Sequence, residues 1–96
     1  MSWSYKGKDW KVRRELKIRH LNYEEAEKVT LMWLDDLFNS GKEWGVIVHG
    51  ANSKVLKPMV IKILKKDKRV KNESIKKHIE KHSGLINPGA TWFSFF

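Results

Sequence analysis

The hydrophobic pattern of this chain changes period along its length, and each change marks a predicted element. Near the start, the apolar residues Leu16 and Ile18 alternate with the basic residues Lys17 and Arg19. A period of two indicates a strand with one buried face and one solvated face. We therefore predict a strand over residues 16–19 that carries two cations on its exposed face.

A helical pattern replaces this alternation after Asn22. Asn22 is a residue type that favours the N-cap position, and Glu25 follows at the spacing of a capping box. Apolar residues then recur every three or four positions, which is typical of a helix with one buried side. Gly41 can adopt the left-handed backbone that ends many helices. The pattern predicts a helix over residues 22–40.

A continuous apolar run at residues 44–48 opens the next segment and is typical of a strand buried on both faces. We predict a strand over residues 45–49, a turn over residues 50–53 and a helix over residues 54–66. Pro58 is compatible with this helix only within its first turn.

Residues 70–82 leave two interpretations open: a strand followed by a loop, or a short helix that starts at Asn72. The β-forming residues at 91–95 predict a final strand, in which most of the aromatic residues belong to the core. The element order is then β-α-β-α-(β)-β. Two helices that cross between strands predict a small mixed sheet with both helices on one face, which is a two-layer α/β sandwich.

The composition limits the class of protein. Ninety-six residues suffice for one domain, 41% of them are apolar, and the absence of cysteine excludes disulfides and thiolate zinc sites. We see no membrane-spanning stretch and no signal peptide, so we expect a cytoplasmic protein that does not bind membranes. We divide the chain into an arm, residues 1–10, and a domain, residues 11–96. The arm carries Trp3, Tyr5 and Trp10, which are candidates for stacking on bases or docking on a protein partner.

The net charge of +9 is unevenly distributed. Residues 1–20 carry seven Lys or Arg against two acidic residues, residues 21–52 carry two against six, and residues 53–82 carry eleven against three. A basic field concentrated in part of a small domain favours a polyanionic partner. The alternative is that surface lysines only keep the protein soluble.

His49 is the first candidate for chemistry, because it ends a predicted buried strand and faces the start of a helix. An imidazole there can act as acid or base in phosphodiester cleavage, which needs no metal when the 2′-hydroxyl of RNA is the nucleophile. The alternative is a histidine that caps its own turn through a backbone hydrogen bond. His78 and His82 have the i, i+4 spacing of metal ligands, but without a third ligand we predict no metal site and no cofactor.

Polar side chains at both predicted turns are candidates for phosphate contacts. Arg19 offers a planar fork, and Lys17 and Lys54 offer point charges, with a solvated surface as the alternative role. His20 is a second candidate acid or base, although a solvated turn residue is the commoner role. Asn52 tolerates the left-handed backbone that would keep a cradle of N–H groups in the turn.

Several motifs resemble, in order and spacing, those of the Smr (small MutS-related) domain family. The resemblance runs from about residue 14 to residue 96. It is carried by Leu16-Lys17-Ile18-Arg19-His20, Glu24-Glu25-Ala26, His49-Gly50-Ala51-Asn52-Ser53-Lys54, Leu56-Lys57-Pro58, Lys65-Lys66-Asp67-Lys68-Arg69-Val70 and Gly89-Ala90-Thr91. The chain departs from the family pattern where Lys17 replaces an Asp, His20 replaces a Gly, and Asn52 and Lys54 replace two turn glycines.

The resemblance implies an α/β sandwich similar to the C-terminal domain of translation initiation factor three. It further implies binding of RNA or DNA and an endonuclease that cleaves RNA or nicks DNA, with the ribosome as a further candidate partner. His49 and Arg19 would then be catalytic. The predicted nucleic-acid-binding residues are Lys17, His20, Gly50, Asn52, Ser53, Lys54 and Lys57.

The alternative function is a non-catalytic module that binds nucleic acid or the ribosome. It is favoured by Lys17, because a lysine cannot replace the family's Asp as a metal ligand or base. A protein-interaction domain that uses the aromatic arm is a third hypothesis. The sequence leaves the oligomeric state open.

Overall fold

The computed structural model of the chain describes residues 12–51, 53–79 and 86–95. In chain order, its elements are β1 (Glu15–Lys17), α1 (Tyr23–Asn39), β2 (Trp44–Val48), α2 (Leu56–Lys66), a 3-10 turn (Asn72–Ser74), β3 (Lys76–Ile79) and β4 (Ile86–Ser94). The predictions for Trp3, Tyr5, Trp10, Asn52 and His82 fall outside the described residues. The boundary between arm and domain therefore also stays a prediction.

The four strands form one mixed sheet in the order β1-β2-β4-β3. β1 and β2 are parallel and are joined through α1, whereas β4 pairs antiparallel with both β2 and β3. This confirms the predicted β-α-β-α-(β)-β order, including the optional strand, which is β3. The helix considered at Asn72 is limited to a single 3-10 turn that precedes this strand. Among the described residues, no helix is long and apolar enough to cross a membrane.

The boundaries of β1, at one edge of the sheet, and of β4, inside it, differ from the predicted ones. β1 ends at Lys17 rather than at residue 19, although the backbone N–H of Ile18 still donates to the carbonyl of Val48 at 2.9 Å. β4 begins at Ile86 rather than at residue 91, because its first residues pair with the end of β3. Pairing between strands distant in sequence decides these limits, and the local pattern does not contain it.

Helix α1 begins and ends at the residues that the sequence indicates. The Oδ1 atom of Asn22 accepts a hydrogen bond from the backbone N–H of Glu25 at 2.9 Å, so Asn22 caps the helix as predicted. Ser40 is the C-cap, and Gly41 follows with a φ of +81°. This left-handed backbone is inexpensive for glycine and strained for other residues, which explains why the helix ends there.

Helix α2 starts two residues later than predicted, at Leu56. The hydroxyl of Ser53 accepts a hydrogen bond from the backbone N–H of Leu56 at 2.8 Å and thereby satisfies one free donor of the first turn. Pro58 lies within this first turn, as its missing N–H requires. Lys65 and Lys66 lie in the last turn, where positive charge suits the helix dipole.

The hydrophobic core lies between one face of the sheet and the two helices. Gly45 of β2 allows α1 to approach closely, because a Cβ at this position would lie 2.7 Å from Cη2 of Trp33 and 2.8 Å from Cδ2 of Leu37. Phe93 of β4 packs edge-to-face on Trp33, with ring centroids 5.8 Å apart. Phe93 and Phe95 are buried, in agreement with the core role predicted for most of the terminal aromatic residues.

Arg69 fastens the segment that follows α2 to the outer side of α1. Its guanidinium donates to both carboxylate oxygens of Asp67, at 3.0 and 2.8 Å, and lies 2.9 Å from Oδ1 of Asp35. The same group lies 5.1 Å from the ring centroid of Phe38. Hydrogen bonds from Arg69 lower the pKa of Asp67, against the opposing effect of burial.

Candidate functional site

The parallel pairing of β1 and β2 brings the two predicted turns to one edge of the sheet. The register places the ends of both strands side by side. Arg19 therefore follows β1 directly beside Gly50, which follows β2, and a Cβ at Gly50 would lie 3.7 Å from the Cβ of Arg19. We call the described residues of 17–20 and 49–57 the carboxyl edge. Ligands of α/β sheets commonly bind at such an edge.

The turn at Gly50 is fastened to β4. Gly50 has a φ of +98°, a left-handed backbone that other residues adopt only with strain. The backbone N–H groups of His49 and Gly50 both donate to the carbonyl of Gly89, at 2.8 and 2.9 Å. The carbonyl of Gly50 accepts from the N–H of Ser53 at 3.4 Å. The N–H groups of residues 49 and 50 already have an acceptor, so they do not offer a cradle to an anion in this conformation.

The imidazole of His49 is almost completely buried, with 1% of the residue exposed, and both of its ring nitrogens have a partner. Nδ1 lies 3.1 Å from the carbonyl oxygen of Gly50, and Nε2 lies 2.8 Å from the hydroxyl of Thr91. A carbonyl oxygen only accepts, so Nδ1 carries the proton and Nε2 accepts from the Thr91 hydroxyl. His49 therefore holds its own turn, which was the alternative to a role as acid or base.

The environment of His49 favours the neutral imidazole. Burial lowers the pKa of His49, the hydrogen bond to Gly50 opposes this effect, and the nearby charge of Lys57 lowers the pKa further. To transfer a proton to or from a ligand through Nε2, the side chain would first have to break its bond to Thr91. The effect of Lys57 also shows that α2 begins close to this imidazole.

Sequence reasoning assigned no role to Thr91. Thr91 follows His49 by 42 residues and belongs to another strand, so no local spacing connects the two. The one signal was the Gly89-Ala90-Thr91 motif, which matches the pattern at the start of the family's last strand. In the fold, Gly89 holds the turn through its carbonyl and Thr91 holds the imidazole, so both ends of this motif support the carboxyl edge.

Three cations surround the turn, and none of them has an acidic partner among the described residues. Arg19 and Lys54 are exposed and Lys57 is half-buried. Within residues 12–51, 53–79 and 86–95, no carboxylate forms an ion pair with any of the three. Their charge therefore remains available to a ligand.

The other predicted site residues have different positions. Ser53 is occupied in capping α2, and His20 is exposed in the turn after β1. Lys17 lies on the sheet face that points away from the helices, where its Nζ is 3.7 Å from Oε1 of Glu15. The side chains of Lys17 and Glu15 are 69% and 52% exposed, so this ion pair is weak. In the described part of the chain, no three His, Asp or Glu side chains converge as metal ligands.

Two solved structures share this fold. The Smr domain of Thermus thermophilus MutS2 aligns with a TM-score of 0.71 and 24% sequence identity, and the alignment covers 88% of this chain and 99% of that domain. YdaL, a stand-alone small MutS-related protein from Escherichia coli, aligns with a TM-score of 0.72 and 18% identity over 85% of this chain and 63% of YdaL. At these identities the likeness establishes the fold.

Proteins named endonuclease MutS2 are similar in sequence. The protein of Thermotoga maritima is 42% identical over 69 residues, or 72% of this chain, and that of Acetivibrio thermocellus is 38% identical over 71 residues, or 74%. The protein of a Geobacillus species is 35% identical over 86 residues, or 90% of this chain. The aligned segments span only 9%, 9% and 10% of these three relatives.

The sequence profile of the Smr domain matches residues 16–87. The match includes both turns of the carboxyl edge and all of β2, while Thr91 lies just beyond it. Profile, relatives and fold agree, and the chain belongs to the Smr domain family.

Proposed function

We propose that this domain binds nucleic acid through its carboxyl edge. The observation that carries the proposal is the group of three cations, Arg19, Lys54 and Lys57, that surround the Gly50 turn without an acidic partner among the described residues. Phosphate groups supply the missing anions, and Arg19 can bind one of them through two parallel hydrogen bonds. The names of the MutS2 relatives, which are called endonucleases, support the same class of ligand.

The start of α2 strengthens this positive field. Lys54 precedes the first turn of the helix and Lys57 lies within it, where the helix dipole also favours negative charge. No acidic residue lies in that first turn. Helix α1, in contrast, begins with Glu24 and Glu25, which neutralise its own positive end. Of the two helices, α2 is therefore the one suited to receive a phosphate.

Salt dependence of binding tests the proposal. The logarithm of the association constant should fall linearly with the logarithm of salt concentration, because each neutralised phosphate releases counterions. The double variant Lys54→Glu/Lys57→Glu should bind more weakly and flatten this slope by about two. The matched control, Lys28→Glu/Lys42→Glu, changes the net charge equally but lies outside the carboxyl edge. Equal losses in both double variants would contradict the proposed position.

Endonuclease activity is the second candidate. It is favoured by the MutS2 names and by the proximity of Arg19 to the His49 turn, because a guanidinium can stabilise the charge that develops on a reacting phosphate. His49 would act either as acid or base after releasing Thr91, or only by holding the turn. Ribosomal RNA is one form that the ligand could take, and co-sedimentation with ribosomes tests it.

Cleavage of labelled single-stranded RNA and of supercoiled DNA, with and without magnesium, tests this candidate. If His49 is an acid or base, His49→Ala should lower the rate by about two to four orders of magnitude while binding survives. Thr91→Val then keeps most of the rate, since Nε2 is left free to react. If His49 only holds the turn, Thr91→Val should be as damaging as His49→Ala. A wild-type protein inert on every substrate would leave the binding module as the function.

A further inference from the structure

The sheet has a second face, away from the helices, and two tryptophans lie on it. Phe93 is opposite Gly45 in the register and packs on α1, so the neighbouring Trp92 points to the other face. Trp44, next to Gly45, points the same way. Both described helices pack on the opposite side, and neither tryptophan belongs to the hydrophobic core. The core therefore does not explain these two rings.

The two rings belong to a row of four side chains across the sheet, Arg14, Trp44, Trp92 and Lys76, which we call the ladder. Trp44 and Trp92 are stacked, with centroids 6.4 Å apart and an interplanar angle of 26°. The guanidinium of Arg14 lies 5.0 Å from the centroid of Trp44, and Nζ of Lys76 lies 4.9 Å from the centroid of Trp92. A cation thus lies at each end of a pair of near-parallel aromatic rings.

The rings hold the two cations of this face only weakly. Arg14 and Lys76 are exposed, and a cation over a ring is held by only about 0.5–1 kcal/mol at such sites. Either side chain can therefore move from a ring to a phosphate. Glu15, on the same face, pairs with Lys17, so neither of the cations of the ladder is neutralised by it.

We infer that the face formed by Arg14, Trp44, Trp92 and Lys76 binds single-stranded nucleic acid by stacking its bases on the two tryptophans. The rings are half-buried, so they are held in place while part of their surface remains accessible. Aromatic platforms flanked by cations bind single strands in this way, because every base has a face that stacks and every nucleotide carries a phosphate. A duplex keeps its bases inside and cannot use these rings.

The ladder also connects with the carboxyl edge. Trp44 opens β2 and the edge lies at its other end, about 13 Å away at the rise of a strand. Lys17 lies on the face of the ladder, next to the end of β2, and Arg19 follows it two residues later. A single strand stacked on the tryptophans would therefore continue past Lys17 to the proposed phosphate site. The inference rests on the proposed function, because it adds the class of nucleic acid to it.

Binding of oligonucleotides of about twelve nucleotides to the 96-residue chain tests the inference. The probes are oligo(dT), oligo(U), an abasic strand of equal length, and a duplex. The abasic strand carries the same phosphates without bases, so it reports phosphate contacts alone. We expect both base-bearing strands to bind at least about fivefold more tightly than the abasic strand. Comparison of oligo(dT) with oligo(U) separates DNA from RNA as the preferred source.

Two variants localise the effect. Trp92→Leu should lower the affinity for oligo(dT) and oligo(U) towards that of the abasic strand, because Trp44 alone retains only part of the stacking, and should leave binding of the abasic strand unaffected. Phe38→Leu is the matched control, because Phe38 is also a partly exposed ring beside an arginine but lies on the helix layer. If Trp92→Leu fails to fold, Arg14→Glu/Lys76→Glu removes the two exposed cations instead. It should weaken binding more than Lys28→Glu/Lys42→Glu does.

The outcomes separate this inference from the proposed function. The inference is overturned if abasic and base-bearing strands bind with equal affinity and Trp92→Leu does not change that affinity. The proposed function survives this outcome if the Lys54 and Lys57 substitutions still weaken binding. If Trp92→Leu weakens the discrimination between base-bearing and abasic strands while the Lys54 and Lys57 substitutions have no effect, the tryptophan face binds nucleic acid. The carboxyl edge would then not be the binding surface. Association of the protein with itself that Trp92→Leu abolishes, without base discrimination, would assign the face to a second copy and overturn the inference.

Discussion

Arg19 and Arg69 are the same residue type in opposite circumstances. Arg69 donates to two carboxylates, those of Asp67 and Asp35, and lies over the ring of Phe38. Arg19 is exposed at the end of β1, and in the described part of the chain no carboxylate pairs with it. The first charge is neutralised within the fold and stabilises it. The second is exposed to solvent and is available to a ligand.

Helix α1 and the start of α2 differ in the same way, because acidic residues are available near the first and absent from the first turn of the second. The segment of residues 21–52, which contains Asp35, carries a negative net charge, so a cation that packs against α1 finds a partner there. The start of α2 has no acidic residue in its first turn. A count of positive charges therefore does not locate a binding surface. Under the proposed function, the cations that lack acidic partners among the described residues locate it, and this distinction can be tested at single residues.

The largest expected effect is on stability. Arg69→Ala removes charge-assisted hydrogen bonds and leaves Asp67, with 14% of its side chain exposed, without its main partner. We expect a loss of about 2 kcal/mol in the free energy of unfolding, the range for hydrogen bonds to charged groups. Urea denaturation measures this loss. Arg19→Ala is the control and should change the same quantity by less than about 0.5 kcal/mol. Similar losses of unfolding free energy in both variants would contradict the conclusion that Arg69, and not Arg19, stabilises the fold.

The second effect concerns affinity and reverses the order of the two arginines. Arg19→Ala should weaken nucleic-acid binding about tenfold, since one charge-assisted contact to phosphate is lost. Arg69→Ala should leave the affinity unchanged wherever the variant is folded. Arg19→Lys should recover only part of the loss, because a point charge does not reproduce the planar fork. Fluorescence anisotropy with a labelled oligonucleotide measures all three, and full recovery by lysine would show that charge alone matters.

A smaller effect should appear on acidification. Arg69 lowers the pKa of Asp67 below its usual value of 3.8. The stabilisation from this pair is therefore complete above the pKa of the unfolded state and disappears as the pH falls through the lower pKa of the folded state. The difference in stability between wild type and Asp67→Asn should be constant near neutral pH and should shrink in that acidic window. Urea denaturation at a series of pH values measures it, and a constant difference would exclude the linkage.

The smallest expected effect on binding concerns Lys17, whose ion pair is weaker than that of Arg69. Lys17 is weakly paired with Glu15, because both side chains are largely exposed. Glu15→Gln releases Lys17 and should strengthen nucleic-acid binding by up to about threefold, in line with the small energy of surface ion pairs. The same binding assay at low salt detects it. Unchanged binding after Glu15→Gln would show that Lys17 and Glu15 lie outside the interface.

Much of the fold follows from local sequence. The caps of α1, Asn22 and Ser40, and the position of Pro58 in the first turn of α2 depend on backbone groups within a few residues. The alternation around Phe93 likewise separates a buried face of β4 from the opposite one. Such features are readable in advance, because the interactions that decide them connect neighbours in sequence.

The sequence also indicated the two turns of the carboxyl edge, but the fold decided what they do. The bond between His49 and Thr91 joins residues 42 positions apart, and that between Arg69 and Asp35 joins residues 34 positions apart. The stacking of Trp44 on Trp92 depends on β4 lying between β2 and β3. Local periodicity shows which side of an element is buried, but not which distant element it meets. Only the tertiary structure therefore decided that His49 is held between Gly50 and Thr91, that Arg69 is paired, and that Arg19 has no acidic partner among the described residues.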